Sequence, residues 1–344
     1  MKKPLVKNFS KYPHSFFDLP NLIEIQLKSF QWLLKTGLKE LFEEISPIKD
    51  YGAKDLELYF LDHYFDEPTY DEEKTREKGL TFEAPFRVRL KLVNKRTKTI
   101  KEQEVYFGDF PMMTPRGTFI INGVERVVIS QLIRSSGVYF TANVFRGKKL
   151  FGAKVIPNRG VWLEFETDPD NVISVRIDRK RKVPVTSLLR IFGLSKDENI
   201  LKTFRETDNG EIKYINQTLK KDTAKDETES YLEIYKRLRP GDPATPENAK
   251  NLVSAMFFRK DRYDLAAVGR FKLNQRLNLK LNSLLLTLED LIEITKEVIR
   301  LNNTPIAEPD DIDHLGYRRL RPVGELLQLR VRVGLAQTRR IIQD

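Results

Sequence analysis

The sequence has no cysteine in its 344 residues. That excludes disulfides, cysteine-ligated zinc and a thiol nucleophile, and it suits a reducing cytoplasm. Histidine is scarce. His14, His63 and His314 are far apart, and none sits in an HExxH-type pairing, so a histidine-based metal centre has little to stand on. No apolar run is long enough to span a membrane, and the basic start, MKKPLVKNFSKYPHSFFDLPNL, lacks the apolar stretch of a signal peptide. The expected location is therefore cytoplasmic. There is no P-loop, no GxGxxG, no Ser-His-Asp spacing and no internal repeat. Acidic residues are outnumbered, 49 against 60 basic, which leaves a net charge of +11. Such an excess favours a polyanionic partner, nucleic acid first and acidic protein surfaces second. Hydrophobic residues make up 40% and charged residues 32%, enough for a packed core, and the length accommodates two ordinary domains.

The elements are legible in outline. Asn21 caps an expected helix over 22–45, with Leu22, Ile25, Phe30, Leu33, Leu34, Leu38, Leu41 and Phe42 on one face and Pro47 as its stop. LELYFLDHYF reads as a strand, and DEPTYDEEKTREKG as a charged linker. From Phe86 the residues alternate, Arg87, Arg89 and Lys91 outward and Val88, Leu90 and Leu92 inward. Across the turn NKRTK this predicts a hairpin with TIKEQEVYFG. Asn122-Gly123 predicts a tight turn between two strands. Short strands follow in VWLEFETDPDNVISVRID. TSLLRIFGL is a short helix ended by Gly193, and 195–230 gives little signal. Thr245 with Pro246 and Thr287 with Asp290 mark two helix starts, and VGELLQLRVRVGLAQTRRII reads as an amphipathic helix. Strands and helices mix without βαβ alternation, so the fold class is α+β.

Five stretches carry candidate chemistry. DDIDHLGYRRLR gathers three aspartates, His314 and three arginines. Asp311, Asp313 and His314 are possible hard-metal ligands. The arginines instead suit phosphates and base edges, and the carboxylates can accept from base amines. A plain solvated loop is the third possibility. In ERVVISQLIRSSGVYF, Arg126 and Arg134 flank an apolar run that alone reads as a core strand. Trp162 follows Arg159 and Gly160, either as core or as a platform on which an unstacked base can lie. RLRPGDPATPE holds Arg239, and FFRKDRYDLAAVGR holds Arg259, Arg262 and Arg270. By themselves these read as surface charge.

In order along the chain, DLPNLIEIQLKSFQWLL, KEQEVYFGDFPMMTPRGTFIINGVERVVISQLIRSSGVYF, IPNRGVWLEF, VRIDRKRKVP, RPGDPATPENAKNL, FFRKDRYDLAAVGR and DDIDHLGYRRLRPVGELLQLRVRVGLAQ resemble the N-terminal part of the bacterial RNA polymerase β subunit. The resemblance covers nearly everything except about 194–228. It implies a protrusion (β1 lobe) of residues 1–130 and 321–344 and a β2 lobe of 131–320, together forming the upper jaw of the DNA cleft. It implies no cofactor on this chain, because the catalytic magnesium is held by aspartates of the β′ subunit. The implied partners are the α, β′, ω and sigma subunits, promoter and downstream DNA, and a transcription-repair coupling factor or CarD-type regulator.

The same resemblance assigns the residues. Trp162 corresponds to a tryptophan that stacks on a flipped non-template base. Arg134, Asp313 and Arg318 surround the next base, by preference a guanine. Arg239, Arg262 and Arg321 complete the DNA-binding set. Ile100, Lys101 and Glu102 resemble the regulator-docking patch, and Arg126 and Ile129 lie near the rifampicin pocket. The chain departs from the family where Ser136 replaces a usual Pro, Tyr317 a usual Asn, and Pro322 a usual Ser or Thr. Two other readings compete with a polymerase module: a free-standing interaction scaffold that keeps the lobe fold, and a metal-dependent nuclease built on DDIDH.

Overall fold

The computed structural model describes residues 21–50, 52 and 55–343. His14, and the reading of the N-terminal stretch through Pro20, lie outside the described residues. The chain forms two compact units. One runs up to residue 132 and resumes at 320, and the other spans 133–319. The fold is α+β, with antiparallel sheets in both units.

The first unit opens with helix α1 (Glu24–Trp32), a π-helical turn (Leu33–Gly37) and helix α2 (Leu38–Ile45). The expected helix is thus present but starts later. Asn21 closes a turn instead, its Oδ1 accepting from the Ile23 N–H at 3.1 Å. Leu22 is 92% exposed and Ile25 is also exposed, which corrects their placing on the apolar face. The wide π turn shifts the helical phase. Phe30, Leu33, Leu38, Leu41 and Phe42 stay buried while the first turn rotates away.

Next come β1 (Ile48–Lys49), β2 (Leu56–Phe65), helix α3 (Glu72–Glu77), β3 (Glu83–Asn94) and β4 (Thr99–Pro111). The sheet order is β1-β2-β3-β4, so β4 is an edge. Helix α3 corrects the reading of this segment as a linker. The Asp71 carboxylate caps it, accepting from the Lys74 N–H at 2.9 Å, and Glu72 and Glu73 sit at the positive end of the helix. Along β3 the alternation holds for Val88, buried, and Leu90, partly buried. It fails at Leu92, which is exposed although it pairs with Leu58 of β2.

β5 (Phe119–Ile121) and β6 (Val124–Arg126) flank Asn122 and Gly123, both at positive φ, 51° and 77°. That pairing of angles is what a type I′ hairpin turn demands. A Cβ on Gly123 would also stand 2.8 Å from Gly79 Cα. β7 (Gln131–Arg134) follows an irregular stretch in which Val127 and Ile129 are exposed, Ile129 by 82%. The core-strand reading of this run is therefore corrected. No neighbouring layer among the described residues covers these side chains.

The second unit is a five-stranded antiparallel meander: β8 (Gly137–Phe145), β9 (Lys148–Ile156), β10 (Leu163–Thr167), β11 (Ile173–Ile177) and β12 (Lys182–Pro184). Helices α4 (Val185–Ile191), α5 (Asp197–Phe204), α6 (Tyr214–Lys221), α7 (Glu227–Leu238), α8 (Pro246–Phe257), α9 (Ala266–Leu277) and α10 (Leu288–Asn302) complete its core. Both foreseen helix starts form. Thr245 caps α8 with Pro246 in its first turn, and Thr287 and Asp290 make a reciprocal capping box on α10. Arg270, read as surface charge, is buried. Its guanidinium grips Asp290 at 2.6 Å and the Leu285 carbonyl at 2.7 Å. Stretch 195–230, weak in signal, holds α5, α6 and the start of α7.

The chain returns through β13 (Arg318–Arg321), paired with β7, into helix α11 (Val323–Gln343). Within the first unit, α11 docks on α1 with almost no gap. A Cβ on Gly324 would fall 2.1 Å from the Ser29 carbonyl oxygen, and the Ser29 hydroxyl accepts from the Gly324 N–H. Among the described residues no helix is long and apolar enough to cross a membrane.

Candidate nucleic-acid interface

The segment 310–317 has no strand or α-helix of its own, so side-chain and backbone contacts must shape it. Asp310 pairs both ways with Phe140 on β8. The Asp310 N–H donates to the Phe140 carbonyl and the Asp310 carboxylate accepts the Phe140 N–H, both at 2.8 Å. Asp311 turns the chain by accepting the Asp313 N–H at 3.1 Å. His314 Nδ1 accepts the Gly316 N–H at 3.0 Å. The Tyr317 carbonyl takes the Ser135 N–H at 2.9 Å, which fixes the segment beside Arg134.

These bonds bear on the metal alternative. Asp310, Asp311 and His314 each hold a backbone N–H, and among the described residues no group of three or more acidic or histidine side chains gathers as a metal site. The remaining carboxylate, Asp313, faces cations. Arg318 Nη2 lies 3.0 Å and Arg134 Nη2 3.6 Å from its Oδ1. Arg318 beside it, with Arg134 behind, holds the Asp313 carboxyl below the usual carboxylate range. It is therefore an ionised, acceptor-only group. Its side chain is 71% exposed. A carboxylate offers roughly four lone-pair sites. Two guanidiniums on one oxygen leave acceptor capacity for a ligand.

Trp162 is half-buried just before β10, not sealed in the core. The Arg179 guanidinium lies 5.5 Å from its ring centroid. Arg179 is delivered by the β11–β12 turn, where Asp178 and Arg179 both adopt positive φ. The Trp162 loop is tied at two further points. Arg159 exchanges backbone hydrogen bonds with Asp264 at 3.0 and 2.9 Å, and Asn158 accepts from Arg319 Nη2 at 3.0 Å. Gly160, at φ 115°, lets the chain pass close to 262–263; a Cβ there would stand 3.0 Å from the Arg262 carbonyl oxygen and 2.8 Å from the Tyr263 ring.

The structure thus brings Arg134, Asp313 and Arg318 together directly, and sets the Trp162 loop against the loop of Arg262, which is exposed. Arg239 ends α7, 3.8 Å from Asp242. Arg321 belongs to the first unit, its Nε 3.4 Å from Glu325. Arg126 closes β6 and is exposed, like Ile129. Ile100, Lys101 and Glu102 lie on edge strand β4, opposite Val93, Leu92 and Lys91 of β3, and all three are exposed. Sequence reasoning left Arg179 unassigned, although its position in a basic turn after a strand was visible. It also missed the residues that hold the 310–318 segment, whose partners are mostly backbone atoms far along the chain.

Comparison with known proteins adds three findings. Residues 134–321 match the family model described as RNA polymerase Rpb2, domain 2. Residues 21–116 match the model described as RNA polymerase beta subunit. The DNA-directed RNA polymerase subunit beta of Chloroflexus aggregans is 48% identical over an alignment covering 95% of this chain, which spans 29% of that relative's length.

Proposed function

Because the chain belongs to the RNA polymerase β-subunit family, we propose that it is a DNA-cleft module of a DNA-directed RNA polymerase and reads the unpaired non-template strand beside the catalytic centre. The protrusion would comprise 1–130 and 321–344, and the β2 lobe 131–320. Nucleotidyl transfer itself takes place elsewhere in the complex, on magnesium held by the β′ subunit. The module works in the cytoplasm, at the nucleoid, beside the α, β′, ω and sigma subunits.

One observation carries this reading: the convergence of Arg134 and Arg318 on an exposed, ionised Asp313. Guanine offers N1–H and N2–H₂ donors on one edge, and a carboxylate can accept both. The two arginines keep that carboxylate charged and can also approach phosphate. Trp162 presents an indole on the loop tied to β13 by Asn158 and Arg319, suited to the preceding base, with Arg239, Arg262 and Arg321 as further cations toward the backbone. Arg126 and Ile129 are assigned to the margin of the rifampicin pocket. A photoreactive base placed in the non-template strand just downstream of the catalytic centre, in assembled polymerase, is expected to crosslink to Trp162 or to 313–318. Crosslinks confined to other subunits would overturn the assignment.

The protrusion also docks regulators. Among the described residues β4 has no partner strand on its outer edge, and Ile100 there is 60% exposed. An open edge next to an exposed apolar side chain is a template for strand addition. Changing Ile100 and Lys101 together to alanine is expected to weaken binding of the transcription-repair coupling factor's polymerase-interacting domain about tenfold, or ~1.4 kcal/mol. Calorimetry that gives an unchanged affinity, with the protrusion still folded, counts against the patch.

A further inference from the structure

An exposed carboxylate on a loop discriminates between bases only if the loop holds still. A displacement of a few tenths of an ångström lets a weaker hydrogen bond or a water take the place of the right one. Between the end of α10 and β13 the backbone of Asp313 has just one 3-10 turn, Leu315–Tyr317, to stiffen it. Two cations from one helix supply the rest. Lys272 Nζ donates to the Gly316 carbonyl at 3.1 Å and stands 5.8 Å from the Tyr317 ring centroid. Arg276, one turn further along α9, reaches Asp310 Oδ1 at 3.3 Å, with its guanidinium 4.9 Å from the Phe140 ring centroid. Their spacing of four places both on one helix face. One grips the segment before Asp313 and the other grips it after.

The helix that carries them is seated against the chain next to Arg134. A Cβ on Gly269 would stand 2.8 Å from the Ser136 hydroxyl oxygen, and the Cβ position of Gly137 lies 3.3 Å from Lys272 Cβ. The Tyr139 hydroxyl closes the frame, donating to the Ser135 carbonyl at 2.7 Å, and its ring meets Tyr317 edge-on at 5.5 Å. Helix α9 therefore sets Asp313 from one side and the chain at Arg134 from the other.

We propose that Lys272 and Arg276 are positioning residues for base reading, a clamp that fixes the 310–317 segment so that Asp313 meets the edge of the base. The inference rests on the reading of Asp313 as the base acceptor. Neither cation needs to touch DNA.

The test uses polymerase assembled with the β subunit that carries this chain. Open-complex lifetime is measured on templates with guanine or adenine at the read position, for wild type, Asp313→Ala, Lys272→Arg, and Lys272→Met combined with Arg276→Gln. The double variant is expected to lower the guanine-to-adenine lifetime ratio about fivefold and leave the adenine lifetime unchanged. Lys272→Arg retains the ratio, because a guanidinium can still donate to the Gly316 carbonyl. An equal loss on both templates would mean a phosphate contact or general damage, and would overturn the clamp. So would an unchanged ratio in the double variant while Asp313→Ala abolishes it. If Asp313→Ala itself leaves the ratio intact, the base-reading function falls and the clamp's role falls with it.

Discussion

Asp222→Ala is expected to destabilise the second unit by about 3–5 kcal/mol. The aspartate lies in the stretch of weakest sequence signal, yet it is the hub of a buried polar network. Its carboxylate accepts from the Thr186 and Ser187 hydroxyls, from the Ala224 N–H at 3.0 Å and from the Arg190 guanidinium. The side chains of Arg190 and Asp222 are both fully buried. A second carboxylate, Asp197, touches Arg190 from a partly exposed position. Removing Asp222 leaves a sealed guanidinium with only that half-solvated partner, together with two hydroxyls and an amide that have lost their acceptor. Breaking such a pair costs far more than the pair is worth over an apolar replacement. Arg190→Met in the same chain is therefore expected to recover most of the loss. Urea unfolding followed by Trp162 fluorescence, in a Trp32→Phe background, reads the second unit alone. A loss below about 1 kcal/mol, outside the range for a broken buried pair, would show that water or a rearranged Asp197 replaces the carboxylate.

That network marks where the sequence stops being legible. Thr245-Pro246, Thr287 with Asp290, and Asn122-Gly123 were readable because each is a local signal, a cap or a turn whose partner lies within a few residues. Helix α5 hides only Ile200 and Phe204 among eight residues, too sparse a stripe to stand out from its charges. Helix α3 was signalled by Asp71 followed by Glu72 and Glu73, yet it has just one buried residue, Thr75. Arg270 misled in the opposite sense. Its partner Asp290 is 20 positions away, and a buried arginine has no local mark that separates it from an exposed one. At the site, Asp313 and Arg318 were visible as neighbours in one polar segment. Arg134 entered through the family resemblance, and the structure places it 3.6 Å from the same oxygen. Lys272 was hidden because its partner is a backbone carbonyl 44 positions distant.

The second large effect is expected at Asp313. Asp313→Ala should erase about 1–3 kcal/mol of preference for guanine over other non-template bases. Binding to templates without that guanine should change little. On the proposed reading the lost group is an acceptor that only guanine can satisfy twice, and the arginines left behind can still approach phosphate. Trp162→Ala should weaken the complex by a similar amount, about 1–3 kcal/mol, on every template alike, since stacking is tolerant of base identity.

The most direct measurement is a double-mutant cycle between this carboxylate and one amino group. Inosine lacks the N2 amine of guanine but keeps N1–H. Open-complex lifetimes are compared for guanine and inosine at the read position, in wild-type polymerase and in Asp313→Ala. Any effect of inosine on strand separation is common to both enzymes and cancels in the cycle. Inosine is predicted to shorten the lifetime by more in wild type than in Asp313→Ala, the difference being the coupling between the carboxylate and the N2 amine. An equal penalty for inosine in both enzymes would contradict it, because the N2 amine would then be recognised by something other than Asp313.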